Sequence, residues 1–105
     1  MLTVDILKLT VDESGNWLLS GTLTRSNVEK YYKSFCSKFP TTDSGVWKID
    51  LADVNSIDSS GIAFLLTMLR HASLYSLTFN INNFPKKYMS MLRAYGLREV
   101  LGAAL

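Results

Sequence analysis

The chain has 105 residues, long enough for one hydrophobic core and too short for two. Apolar residues make up 48% and charged residues 19%, a globular mix rather than a disordered one. The 11 basic and 9 acidic residues leave a net charge of +2 without a long basic run, which disfavours nucleic acid as a partner.

Residues 2–11 read as a first strand, with Leu7, Leu9 and Val11 alternating against Lys8 and Thr10. The turn cluster at 12–16 separates it from a second strand carrying Trp17, Leu19, Gly21 and Leu23 on one face. A short polar loop between two strands makes an antiparallel hairpin the simplest arrangement. Ser26 and Glu29 then have the spacing of a capping box. Val28, Tyr31, Tyr32, Phe35 and Phe39 follow at helical spacing, with Lys30, Lys33 and Lys38 turned to water. Pro40 and the polar residues 41–45 end that helix.

The stretch 46–72, VWKIDLADVNSIDSSGIAFLLTMLRHA, is the centre of the sequence. Trp47, Ile49 and Leu51 alternate with Lys48 and Asp50, and a polar loop is expected to follow. Asp58-Ser59-Ser60-Gly61 then opens a helix whose core stripe is Ile62, Leu65, Leu66, Leu69 and Ser73. A fourth strand at 77–82 alternates Leu77, Phe79 and Ile81 against Thr78, Asn80 and Asn82. Pro85 opens a third helix through Tyr88, Met89, Leu92 and Tyr95, with Gly96 as its C′ residue. Residues 97–105 form a partly apolar tail with no definite pattern. Strands three and four alternate along their length, so one face of the sheet is buried and the other solvated. The class expected is α/β: a small mixed sheet of about four strands, with about three main helices packed mainly on one face.

Catalysis finds little support. The one histidine, His71, lies 12 residues after Ser59 on the same helix, ~18 Å along its axis, too far to activate that hydroxyl. Neither a nucleophile elbow nor a phosphate-cradling glycine motif is present, and Asp50, Asp53 and Asp58 lack a supporting ligand set. No enzyme activity, metal or cofactor is expected. The single Cys36 rules out an internal disulfide and fits a reducing compartment. The longest apolar run, 62–66, is far short of a membrane span, and the first residues do not resemble a signal peptide. A cytoplasmic protein is expected.

Asp58, Ser59, Ser60 and Gly61 admit two readings. Asp and Ser are the usual residues at a helix start, as caps. A hydroxyl in the first turn is also exposed, and a phosphate there would meet unpaired N–H groups and a favourable dipole, which makes Ser59 a candidate phosphoacceptor. At 100° per residue, Phe64, Met68, His71 and Tyr75 fall together, roughly opposite the core stripe. They are either buried by a neighbouring helix or form a partner-binding face.

These residues carry a resemblance. Ile49-Asp50-Leu51, then Ile57-Asp58-Ser59-Ser60-Gly61-Ile62-Ala63 and an apolar helix, resemble the STAS domain, the fold of bacterial anti-sigma factor antagonists. The run from Leu18 to Thr24, LLSGTLT, resembles the family's second strand, and Tyr95-Gly96-Leu97 its closing helix. The likeness covers nearly the whole chain and implies a single STAS domain over 1–105. It implies that Ser59 is a phosphorylation or partner-contact site. In its length and S-G-x-L-T run the chain is most similar to the MlaB-type subunit of the Mla phospholipid ABC transporter. That likeness implies a non-catalytic subunit at the inner face of the inner membrane. Such a subunit binds the transporter's ATPase through the helix after the motif and serves outer-membrane lipid asymmetry. The sigma-regulating branch implies instead that an anti-sigma serine kinase phosphorylates Ser59. Thr24 stands where many sigma-regulating members carry an acid, and Ser59 where MlaB-type proteins usually carry threonine.

Overall fold

The sheet runs in sequence order, β1-β2-β3-β4, from Leu7–Val11, Trp17–Leu23, Val46–Ile57 and Thr78–Asn82. The computed structural model describes residues 6–42, 44–102 and 104–105, so the first part of the strand expected over 2–11 lies outside the described residues. β1 and β2 form the expected antiparallel hairpin, with Leu9 opposite Leu19. Its turn is held by Asp12, whose carboxylate accepts from Ser14 N at 2.8 Å and Asn16 N at 2.9 Å. These bonds, the Asn16 backbone first, hold the Asp12 carboxyl below its ordinary value.

β2 to β3 and β3 to β4 are parallel pairs, crossed by α1 (Arg25–Cys36) and α2 (Ser59–Leu74). Both crossovers step the same way along the sheet. Right-handed connections therefore place both helices on one face. A 3-10 turn (Lys86–Tyr88), α3 (Met89–Ala94) and α4 (Arg98–Gly102) complete the chain. Leu92 and Leu101, from α3 and α4, are fully buried in the common core.

The polar loop expected after Leu51 is strand. β3 continues to Ile57 because its apolar residues change spacing: Ile49, Leu51, Val54 and Ile57 are all buried, with Ala52, Asp53 and Asn55 exposed between them. Two steps of three residues break a period of two. Each break coincides with a register shift against β2, which keeps strict alternation at Trp17, Leu19 and Leu23. Two β-bulges absorb the extra residues, one on each side of the Ser20–Asp53 and Gly21–Val54 pairs.

Three further expectations change. The helix expected to open at Ser26 opens earlier: Thr24 is the N-cap of α1, and Glu29 pairs with Arg25 at 3.1 Å. The expected third helix begins as the 3-10 turn and ends as foreseen at Gly96, whose φ of 67° allows Leu97 N to reach Leu92 O at 2.8 Å. The tail acquires a role: α4 buries Leu101, and Ala104 O accepts from Ile81 N, closing part of the outer edge of β4.

The core over the helical face is strongly aromatic. Trp17 packs edge-on to Trp47 at 5.3 Å between ring centres, and Phe39 lies 5.0 Å from Trp47. Cys36 is half-buried beside this cluster; burial pushes its thiol up, with a Tyr32 hydrogen bond acting against that. The opposite face of the sheet carries polar residues such as Lys8, Thr10, Lys48 and Asn80.

Candidate functional site

The parallel strands β2 and β3 deliver Leu23 and Ile57 side by side, and the chain turns from each directly into a helix. Asp58 sits between the two starts in an extended conformation and is the N-cap of α2. Its Oδ1 accepts from Ser60 N at 2.9 Å and Gly61 N at 3.1 Å. Its Oδ2 accepts from Arg25 N at 2.9 Å, the first residue of α1. The Thr24 side chain makes no capping bond of its own, so one carboxylate serves the orphan donors of both helices. The backbone N–H of Asp58 meanwhile donates to Leu23 O at 3.3 Å.

This double role sets an expected result. Asp58→Ala removes the acceptor for three N–H groups and should cost about 2 kcal/mol or more, since a capping hydrogen bond is worth about 1 kcal/mol. Asp58→Asn keeps an oxygen for Ser60 and Gly61 but turns an amide against Arg25 N–H, and should fall between. Urea denaturation of the three proteins measures the order. An alanine variant as stable as the parent would show that water replaces the carboxylate without loss.

Of the two serines, Ser59 is exposed and Ser60 half-buried, so Ser59 is the hydroxyl presented to solvent. An open groove of about 440 Å³ lies beside it, lined by Thr24, Arg25, Ser26, Glu29 and Asp58. The exposed Arg25–Glu29 pair on its rim contributes little stability. On the other flank Tyr88 hydrogen-bonds Ser56 near the end of β3, which, with Lys87 close by, lowers the Tyr88 hydroxyl below its ordinary value. Residues from α1, β3 and the 3-10 turn thus surround the motif.

The helix face inferred from the wheel is corrected. Phe64 is 3% exposed and Met68 fully buried. The Phe64 ring lies 6.1 to 6.2 Å from those of Tyr32, Phe35 and Phe39, all contributed by α1 and the turn after it. His71 and Tyr75 are half-buried; His71 Nε2 sits 2.6 Å from Pro40 O, and its ring packs on Phe39 and Tyr75. Phe64 and His71 fasten α2 to α1 and the loop after it, and Met68 lies within the core. The physical reason is that α2 is flanked on both sides, and so is apolar over most of its girth.

What α2 leaves open is a different row. Ser59, Ala63, Arg70, Ser73 and Leu74 are exposed, and Leu66 and Thr67 are half-exposed along the same line. Their spacing of three and four residues makes a single stripe down the helix. The small residues Ser59, Ala63 and Thr67, one turn apart, are the sequence signal for it. Among the described residues no group of three or more His, Cys, Asp or Glu side chains could hold a metal ion. His71 bonds Pro40 and does not approach Ser59 as a base would.

A four-stranded mixed sheet under a helical layer, with an aspartate-capped D-S-S-G start to its central helix, defines a STAS-type α/β domain. A family model described as the MlaB STAS domain matches residues 10–102, and the chain belongs to that family. A search of curated proteins finds none that matches the chain. Domains of this family generally mediate contacts between proteins.

Proposed function

We propose that the chain is a non-catalytic docking subunit of the MlaB type, all 105 residues forming one domain, which binds and regulates the ATPase of a phospholipid ABC transporter. The observation that carries this reading is the open stripe on α2. It begins at Ser59, the residue the family resemblance marks for partner contact, and continues through Ala63, Thr67 and Arg70. Its upper end is fixed in place by Asp58, so a partner meets a preformed surface and loses little freedom in ordering it. The protein would act in the cytoplasm, at the inner face of the inner membrane through the transporter. No helix among the described residues is long and apolar enough to cross a membrane.

The test is affinity capture from native cells, with mass spectrometry of the partners and of Ser59. An ABC ATPase should be captured by the parent protein and lost with Ala63→Arg or Thr67→Arg, both of which should keep the parent's melting temperature because the stripe is open. Retention by both arginine variants would move the contact elsewhere. The exposed Ser59 hydroxyl supports one other reading, control of a sigma factor by phosphorylation. A small serine kinase in the capture, with phosphate on Ser59, would establish that reading in place of the first.

A further inference from the structure

The near-neutral net charge conceals a separation. α1 and the turn closing it carry Arg25, Lys30, Lys33 and Lys38, and α2 carries Arg70. From the 3-10 turn to α4 the chain adds Lys86, Lys87, Arg93 and Arg98. All nine are exposed, and the same elements contain only two acids, Glu29 and Glu99. Strands and their loops reverse the balance: Lys8 and Lys48 stand against Asp12, Glu13, Asp50, Asp53 and Asp58 among the described residues. Because both crossovers lie on one face of the sheet, the cations of α1 and α2 share that face.

The cations on the helical side are largely uncompensated. Among the described residues the one ion pair is Arg25–Glu29. Lys30 and Lys87 lean over Tyr31 and Tyr88 at 5.3 and 5.2 Å, and Lys38 donates to Ser34 Oγ at 3.2 Å, none of which neutralises charge. The row of small side chains at Ser59, Ala63 and Thr67 runs down α2 beside α1, with the exposed Arg70 on the same stripe. A surface of this kind repels a basic partner and raises the encounter rate of an acidic one.

We infer that the protein segment seated on the α2 stripe is acidic: a helix or surface whose carboxylates face Lys33 and Arg70 while its small or apolar residues meet Ala63 and Thr67. This rests on the docking reading above and adds the partner's chemistry to it. A protein surface fits better than an anionic membrane because the stripe at the centre of the layer is short-chained. Of its seven residues only Leu74, 77% exposed at the far end, is a large apolar side chain standing free for insertion.

The test uses the full chain and three defined probes, followed by amide chemical shifts in NMR. The probes are an amphipathic helical peptide with Leu and Ala on one face and Glu on the other, the same peptide with Lys for Glu, and phosphatidylcholine vesicles containing about one quarter phosphatidylglycerol. The acidic peptide should shift amides of α1 and α2, with an affinity falling about tenfold between roughly 50 and 300 mM salt. Lys33→Glu with Arg70→Glu should abolish those shifts, and Lys8→Glu with Lys48→Glu should leave them. Equal, salt-independent shifts of the α2 stripe by both peptides would overturn the acidic partner while leaving the docking surface intact. Shifts confined to the strands, no shifts from the acidic peptide, or binding to vesicles in preference to it would also overturn the inference. The docking reading stands or falls separately, on the arginine variants in the cellular capture.

Discussion

Replacing Gly61 with alanine is expected to destabilise the protein by about 3 kcal/mol, although alanine is the better helix former by about 1 kcal/mol. A Cβ at this position would lie 2.1 Å from Leu23 O and 3.0 Å from Ile57 Cγ2 and Leu23 Cγ. The oxygen is the decisive neighbour because it cannot turn aside. Leu23 O accepts from Asp58 N, and Leu23 and Ile57 are register partners in the parallel ladder. Moving it would disturb the sheet end and the cap together. The clash therefore outweighs the propensity gain, and the sign is settled by the size of the two effects. Urea denaturation is the measurement; a midpoint at or above the parent's would mean that α2 can lift away from β2 at little cost. The requirement for glycine in the D-S-S-G motif thus comes from the close approach of a helix to a strand carbonyl.

Phe64→Ala should cost a further-reaching loss, about 3 to 5 kcal/mol, the usual range for removing a buried aromatic ring. Phe64 is 3% exposed and meets Tyr32, Phe35 and Phe39, so its removal opens a cavity in the seam between α1 and α2. For a domain whose total stability is of the order of 5–15 kcal/mol, that is a large share. The variant should melt markedly lower in a calorimetric scan, and Phe64→Leu should recover most of the difference. A variant that melted with the parent and lost only partner affinity would instead return Phe64 to the protein's surface. Loss of partner binding by Phe64→Ala is accordingly expected as a consequence of unfolding, whereas Ala63→Arg tests the docking surface itself.

The part of the architecture written in local pattern is legible in the sequence alone. The hairpin, the mixed sheet, the helices on one side, the aspartate cap and the Gly96 terminus all follow from alternation, helical spacing and turn chemistry. What escapes such a reading depends on neighbours. The wheel of α2 is apolar on two sides, and a wheel alone does not say which side faces the sheet and which faces α1, so it assigns Phe64 and Met68 to the wrong surroundings. The second half of β3 escapes because bulges replace the period of two with steps of three, which looks like a loop until a partner strand is paired with it. The bond from Asp58 to Arg25 N spans 33 residues and has no local signature at all. α4 is five residues long and makes sense only through Leu101, whose burial is tertiary.

The two bulges give β3 the property of a counting device. Between the Leu18–Asp50 and Leu23–Ile57 pairs, β2 advances five residues while β3 advances seven. Every buried position after Leu51 is reached only as the surplus residues are taken up. Side chains at Asp53 and Asn55 project outward and are free to vary in kind. The two surplus residues can also change in number: loss of one together with its bulge would restore a step of two, keep Val54 and Ile57 on the core face and leave Asp58 beside Leu23. Loss of a third would leave β3 one residue short of β2, turn an apolar side chain to water and carry Asp58 out of reach of Arg25. The segment before the motif thus has a minimum length, set by the five-residue advance of β2, that keeps the starts of α1 and α2 joined.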